Sequence, residues 1–100
     1  MISVHFTRAA LDDLTEIRHF YTTEGAPEVG ARFVAEIFEH VERLQKHPDI
    51  GRVVPEFGNP MLRELIHVPF RVVYWREKHR VSVIRVWRSE RLMRLPGKSP

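Results

Sequence analysis

The stretch that decides the fold class is LRELIHVPFRVVYWREKHRVSVIRVW, residues 62–87. Over three segments, β-branched and aromatic residues alternate with polar ones, which is the period-two pattern of half-buried β-strands. Pro69 separates the first segment from the second, and residues 77–79 form the expected hairpin tip before the third. The stretch therefore predicts three consecutive antiparallel strands.

The middle strand of the three carries apolar residues on both faces. Because successive side chains of a strand point to opposite sides, each face can be read from alternate positions. We expect one face to pack on helices and the other to be partly covered by another segment. The two faces hold Phe70, Val72 and Tyr74 on one side and Arg71, Val73 and Trp75 on the other.

Two amphipathic helices precede these strands. In the first, Thr7 suits the N-cap position and Gly25 can supply a left-handed residue after the last turn. In the second, Pro27 suits the first helical position and Pro48 ends the pattern. Between these signals, apolar residues recur at intervals of three and four, as on one buried helix face. They are Ala10, Leu14, Ile17 and Tyr21, then Gly30, Val34, Ile37, Val41 and Leu44.

The N-terminal residues 2–6 alternate between apolar and polar side chains and predict one more short strand. A short turn joins the two helices, so we expect an antiparallel helical hairpin. The predicted fold is α+β: an N-terminal strand, a two-helix antiparallel hairpin and a three-stranded antiparallel sheet, in the order β-α-α-β-β-β. We expect a single domain over residues 1–95 and a flexible tail over residues 96–100.

The composition excludes several classes of protein. Of the 100 residues, 43% are hydrophobic and 29% are charged, which is typical of one globular domain and not of a disordered chain. The chain has no cysteine, so disulfides and thiolate metal sites are excluded. No apolar run approaches the ~20 residues that span a bilayer. We therefore expect a cytoplasmic protein without a membrane partner.

Charge is distributed unevenly along the chain. Residues 1–62 hold six Lys/Arg and ten Asp/Glu, whereas residues 63–100 hold ten Lys/Arg and three Asp/Glu. Such asymmetry indicates that the C-terminal part meets something anionic. The alternative is that the basic half simply faces the acidic half within the fold.

Histidine and carboxylate patterns predict neither a metal site nor an acid–base pair. The six histidines include no i, i+4 pair and no H-x-H pair, so we expect no metal ion and no cofactor. Asp12 and Asp13 are adjacent in the first helix and point about 100° apart. Their position near the helix N-terminus, where negative charge is favourable, is a sufficient explanation for both.

The basic excess is concentrated in RVWRSERLMR, residues 85–94. Arginines beside tryptophans suit single-stranded nucleic acid or an acidic protein partner, and the pattern leaves both open. Arg71 lies in the middle of a strand, where a buried charge needs a partner or an open groove. It is therefore either an edge-strand arginine paired with a glutamate or part of a binding surface. The predicted partner-binding residues are Arg71, Trp75, Arg85, Trp87, Arg88, Arg91 and Arg94.

Five motifs together resemble the ParE/RelE superfamily of toxins, in the correct order and over about residues 2–94. No single motif is very specific, but their joint order and spacing are. The motifs are T-x-x-A-x-x-D-L-x-x-I-x-x-x-Y from Thr7, L-x-x-x-P-x-x-G-R from Leu44, R-E-L from Arg63, F-R-V-V-Y from Phe70 and V-I-R-V-W-R-S-E-R from Val83.

This resemblance implies the toxin of a two-gene toxin–antitoxin module, a class often described as plasmid-stabilisation proteins. RelE-like members cut mRNA on the ribosome, and ParE-like members inhibit DNA gyrase. Both kinds form a hetero-oligomer with a cognate antitoxin, whose C-terminal segment folds along the toxin. The spare apolar face of the sheet, with Val73 and Trp75, or the helical hairpin is where such a segment would bury its side chains.

The residues favour the ParE-like alternative. RelE-like cleavage typically uses a tyrosine or histidine near the C-terminus, and neither follows His79. The lysine-rich stretch of RelE-like members is also missing, since residues 53–70 contain no lysine. We therefore expect a toxin without bond-breaking chemistry that inhibits DNA gyrase by binding.

Two alternatives stay open. One is a metal-independent mRNA interferase acting on the ribosome, for which the resemblance implies the catalytic residues Arg71, Arg88, Glu90 and Arg91. The other is an inactive toxin-like protein that only binds its antitoxin and helps it to repress their operon.

Overall fold

The helices and strands follow one another in the predicted order, which confirms the α+β class. The structure is a computed structural model and describes residues 1–89. The expected boundary between domain and tail at residue 95 lies outside these residues and stays a prediction. The elements are β1 (Ser3–Phe6), α1 (Arg8–Thr23), α2 (Pro27–Glu42), β2 (Arg52–Val53), β3 (Leu62–His67), β4 (Phe70–Arg76) and β5 (Arg80–Arg88).

Local signals set both ends of α1. The Thr7 hydroxyl accepts a hydrogen bond from the Ala10 N–H at 3.2 Å, so Thr7 is the N-cap as predicted. After the last turn, Gly25 has a φ of 83°, a left-handed conformation that glycine adopts without steric cost. The chain then turns directly into the second helix.

Helix α2 begins at Pro27 as predicted, but it ends before Pro48. Residues 43–45 tighten into one 3₁₀ turn, so the α-helix itself stops at Glu42. The carbonyl of Gln45 accepts a hydrogen bond from the backbone N–H of Ile2 at 3.0 Å, which ties this turn to the chain just before β1.

The sheet has five strands and is mixed, which refines the expected three-stranded antiparallel arrangement. Its order is β1-β5-β4-β3-β2. β1 lies beside β5 and runs parallel to it, although the helical hairpin and three other strands separate the two in sequence. The short edge strand β2 was not predicted; in it, Val53 pairs with Arg63 of β3. The expected hairpin tip lies at residues 77–79, between β4 and β5.

The helical hairpin packs on one face of the sheet and forms the main core there. The opposite face carries a smaller apolar cluster, in which Val54 covers Leu62 and Val73, with Ile84 and Trp87 at its margin. One face of β4 is therefore covered by the helices and the other is partly covered, as its sequence predicted: Val73 is buried there, whereas Trp75 stays exposed. The buried residues of the main core are Ala10, Leu14, Ile37, Val41, Leu44, Leu65, Phe70, Val72, Tyr74, Val81, Val83 and Val86.

Neither α1 nor α2 is long and apolar enough to cross a membrane, and no other helix of residues 1–89 is either.

Candidate functional site

A groove opens between α1 and the ends of β4 and β5, and we call it the α1–β5 groove. Its cavity has a volume of about 180 Å³. Helix α1 supplies one wall because its apolar stripe continues past the core to the half-exposed Phe20. The sheet supplies the other wall, where β5 continues beyond Val83, the last residue that pairs with β1. The residues that line the groove include Ile17, Phe20, Tyr21, Phe70, Trp87 and Arg88.

Arg88 is the cation of this groove. Its guanidinium carbon lies 5.7 Å from the centre of the Phe20 ring and 5.6 Å from that of Phe70. Its Nη1 lies 3.5 Å from the Tyr21 hydroxyl, a long contact. Asp13 and Glu16 also line the groove, so its rim carries both signs of charge around an apolar floor. The Arg88 guanidinium over aromatic faces suits a partner that offers an apolar anchor beside a carboxylate.

Arg85 lies next to the groove but is held by an internal ion pair. Its Nε and Nη2 donate to the two carboxylate oxygens of Asp13 at 2.8 and 3.0 Å. This hydrogen bonding raises the pKa of Arg85. The Arg85 guanidinium also stacks over the Trp87 ring at 4.7 Å. The Arg85 guanidinium therefore orients the Trp87 ring, and its charge is largely neutralised by the Asp13 carboxylate.

Asp13 is a residue whose role sequence reasoning missed. Besides pairing with Arg85, its Oδ2 accepts a hydrogen bond from the backbone N–H of Val86 at 2.9 Å. Only 7% of Asp13 is exposed, so it fastens the start of α1 to the open edge of β5. A signal existed in the sequence: Asp13 falls between Ala10 and Leu14 on the buried stripe of α1, where an acidic residue needs a partner.

Arg71 lies within an ion-pair cluster on the sheet face opposite the helices. Its Nη1 and Nη2 donate to the two oxygens of Glu56 at 2.8 Å each, and its Nε donates to Glu64 at 2.6 Å. The second oxygen of the fully buried Glu64 accepts from Arg52 at 2.6 Å. These hydrogen bonds raise the pKa of Arg71, and Arg71 lowers the pKa of Glu56.

This cluster bears on the two interpretations of Arg71. Only 3% of Arg71 is exposed, and glutamates engage it from two sides. In the structure, Arg71 is paired with glutamates. Its strand β4, however, is a central strand of the sheet and not the edge strand that the sequence interpretation assumed. Within residues 1–89, Arg71 holds the segment around Glu56 against the sheet.

Trp75 is separated from the groove. It pairs with Leu62 and Ser82 near the far end of β4, whereas Arg88 pairs with Phe70 at the near end. Five residues of extended strand correspond to about 16 Å. The structure thus brings Arg85, Trp87 and Arg88 together and leaves Trp75 apart. The predicted residues Glu90, Arg91 and Arg94 lie outside the described residues.

The uneven charge of the sequence is partly balanced inside the fold. Besides the pairs of Arg71 and Arg85, Arg76 donates to Asp49 at 2.8 Å, and Arg63 lies 3.9 Å from the same carboxylate. The acidic partners Asp13, Asp49 and Glu56 all come from the first 62 residues. Among the described residues, the alternative in which the two halves face each other therefore accounts for much of the asymmetry.

The described residues thus form a two-helix hairpin on a mixed five-stranded sheet, with aromatic and basic residues where β5 ends. A family model described as the ParE toxin of the type II toxin–antitoxin system parDE matches residues 4–93, and the chain belongs to this family. The chain is also similar to a solved chain of the chromosomal ParDE toxin–antitoxin system from P. aeruginosa. The two share 29% identity with a TM-score of 0.74, over 88% of this chain and 96% of that one. No curated protein matches the chain.

Proposed function

We propose that the chain inhibits DNA gyrase by binding it and is neutralised by a cognate antitoxin. The observation that carries this proposal is the ParE-type family match over residues 4–93, together with the gyrase inhibition that the resemblance implies for ParE-like members. The cytoplasm, where the chromosome and its topoisomerases are found, is the compartment that this activity requires.

The state of Arg71 supports binding over mRNA cleavage. A catalytic arginine must place its guanidinium on the reacting phosphate, but that of Arg71 already donates to Glu56 and Glu64. Releasing it would leave Glu64, which is about 1% exposed, as a carboxylate deprived of one of its two arginines. Breaking a buried ion pair in this way costs about 3–5 kcal/mol. Arg71 is thus better suited to hold the sheet face together than to catalyse cleavage.

The α1–β5 groove supports a protein contact at the end of β5. Interface hot spots are enriched in tryptophan, tyrosine and arginine that pack in partly enclosed pockets. Here Tyr21 and Arg88 line the groove, and Trp87, which also packs against the cluster on the opposite sheet face, lies at its edge. The half-exposed Phe20 extends the apolar floor to the surface. We propose that gyrase contacts this groove. Arg91 and Arg94 lie outside the described residues and stay predicted partner-binding residues.

An antitoxin segment has two candidate surfaces, and the separation of Trp75 from Arg88 allows them to be tested one at a time. Trp75 is 37% exposed on the sheet face opposite the helices, near the exposed Met61. The α1–β5 groove is the second surface, because its Arg88 suits an acidic segment. We expect Trp75→Ala to weaken antitoxin binding if the segment lies on the sheet face, and Arg88→Ala to weaken it if the segment occupies the groove. If neither variant binds an antitoxin fragment more weakly, both proposed surfaces are wrong.

Two assays run in parallel test the activity. The purified chain is added to gyrase acting on a relaxed plasmid and, separately, to a translation extract. We expect supercoiling to be inhibited while translation continues. Intact supercoiling with mRNA cut in the ribosomal A site would reverse the proposal in favour of an mRNA interferase. If both assays are unaffected but the chain still binds its antitoxin, the inactive alternative replaces it.

A further inference from the structure

Two histidines that are far apart in the sequence face each other in a partly buried position. His40 lies in the last turn of α2, and His67 is the last residue of β3. Their Nδ1 atoms are 3.2 Å apart. The Nε2 of His67 lies 3.2 Å from Oε1 of Glu36, one helical turn before His40. This three-residue group lies on other elements than those that form the α1–β5 groove.

The hydrogen-bond pattern fixes which nitrogen of His67 carries the hydrogen. A carboxylate can only accept, so His67 Nε2 donates to Glu36. In the neutral ring, Nδ1 of His67 is then left with a lone pair directed towards His40. A neutral His40 can likewise present a lone pair at Nδ1.

This arrangement has the geometry of two ligands of one metal ion. Two imidazole nitrogens that bind a tetrahedral ion at ~2.0–2.1 Å lie about 3.3–3.4 Å apart, close to the 3.2 Å between the two Nδ1 atoms. A metal-binding histidine usually donates its other ring N–H to a carboxylate, which orients the ring and makes it more basic. Glu36 stands in that relation to His67.

We propose that His40 and His67 bind a transition-metal ion of the zinc type through their Nδ1 atoms, with Glu36 as a positioning residue. Among residues 1–89, no group of three or more His, Cys, Asp or Glu residues converges on one point, so the site supplies two protein ligands and leaves the other positions to water. An ion held there joins the end of α2 to the end of β3. The site shares no residue with the α1–β5 groove.

Calorimetric titration of the full-length, tag-free chain with Zn²⁺ tests this site. We expect one ion to bind per chain and to raise the melting temperature. His67→Gln should abolish both effects, and Glu36→Gln should weaken binding by at least about tenfold. His79→Gln is the matched control, because His79 is an exposed histidine at the β4–β5 turn and should leave the titration unchanged.

Two results would overturn the proposal. One is the absence of Zn²⁺ binding to the wild-type chain. The other is binding that persists in His67→Gln, which would assign it to exposed histidines. Either result would mean that the 3.2 Å contact is only a hydrogen bond between the two rings. Circular dichroism establishes that each variant is folded, and His40→Gln replaces His67→Gln if the latter does not fold.

Discussion

The Asp13 carboxylate in α1 binds the Arg85 guanidinium in β5 through two hydrogen bonds, at 2.8 and 3.0 Å, across 72 residues of sequence. The same carboxylate accepts the N–H of Val86, which lies where β5 extends beyond β1. Asp13 thus closes part of an open sheet edge, and Arg85 in turn stacks on Trp87. The first helix and the wall of the α1–β5 groove are therefore stabilised by one buried residue.

Asp13→Asn should lower the free energy of unfolding by about 1–2 kcal/mol. The amide oxygen can still accept from the Val86 N–H, but the charge that pairs with Arg85 is lost. Urea denaturation measures the change. Asp12→Asn is the matched control, because the Asp12 side chain is 66% exposed, and we expect a change within about 0.5 kcal/mol. Equal effects of the two substitutions would show that Asp13 acts only through the helix dipole.

Arg71→Met should destabilise the chain by about 3–5 kcal/mol, because it leaves the buried Glu64 carboxylate without its closest partner on β4. In the double variant Arg71→Met, Glu64→Leu the buried charge is removed as well, and we expect it to recover at least half of that loss. Urea denaturation of the two variants makes the comparison. A double variant as unstable as the single one would show that the cost comes from the lost packing of Arg71 or from Glu56, which also loses its partner, and not from the Glu64 carboxylate.

Tyr74 should make stability sensitive to alkaline pH. Its buried hydroxyl donates to the Pro48 carbonyl at 2.8 Å and accepts from the Gly51 N–H at 3.0 Å. Burial raises the pKa of Tyr74, so the fold favours the neutral phenol. That contribution is present below the ordinary tyrosine pKa of about 10 and is lost as the pH rises through the folded-state pKa.

The test compares wild type with Tyr74→Phe between about pH 8 and pH 11. At neutral pH the variant should be less stable by about 1–3 kcal/mol, since two buried backbone groups lose their partner. As the pH rises, the difference between the two proteins should shrink. Parallel curves would contradict a raised Tyr74 pKa.

Glycine is required at position 51 for the contact with Tyr74, because an added Cβ would lie 2.5 Å from the Tyr74 oxygen.

Features encoded in short stretches of sequence were predictable. Three local signals are the N-cap at Thr7, the left-handed Gly25 after α1 and Pro27 at the start of α2. The period-two pattern of residues 62–87 marks the three C-terminal strands. The parallel position of β1 was not predictable, since its four residues are compatible with either sheet edge. Only the packed helical hairpin decides where the first strand lies.

The chemistry of the site was less predictable, because charge pairing is a property of the folded chain. Composition showed an excess of arginine after residue 62, but it did not show that Arg71 and Arg85 meet Glu56 and Asp13. Each partner comes from a distant segment, so no spacing rule connects them. Trp87 and Arg88 are the predicted residues that the structure places in a groove.

The most direct test of a gyrase-binding toxin is the concentration of the chain that half-inhibits supercoiling, measured for wild type, Arg88→Ala and Arg8→Ala. The Arg8 side chain is 87% exposed at the start of α1 and provides the matched loss of one arginine. We predict that Arg88→Ala requires at least about ten times more protein, equivalent to about 1.4 kcal/mol, and that Arg8→Ala stays within about twofold. Wild-type chain that leaves supercoiling unaffected at every concentration would contradict gyrase inhibition. Inhibition that Arg88→Ala leaves unchanged would contradict the role of the α1–β5 groove.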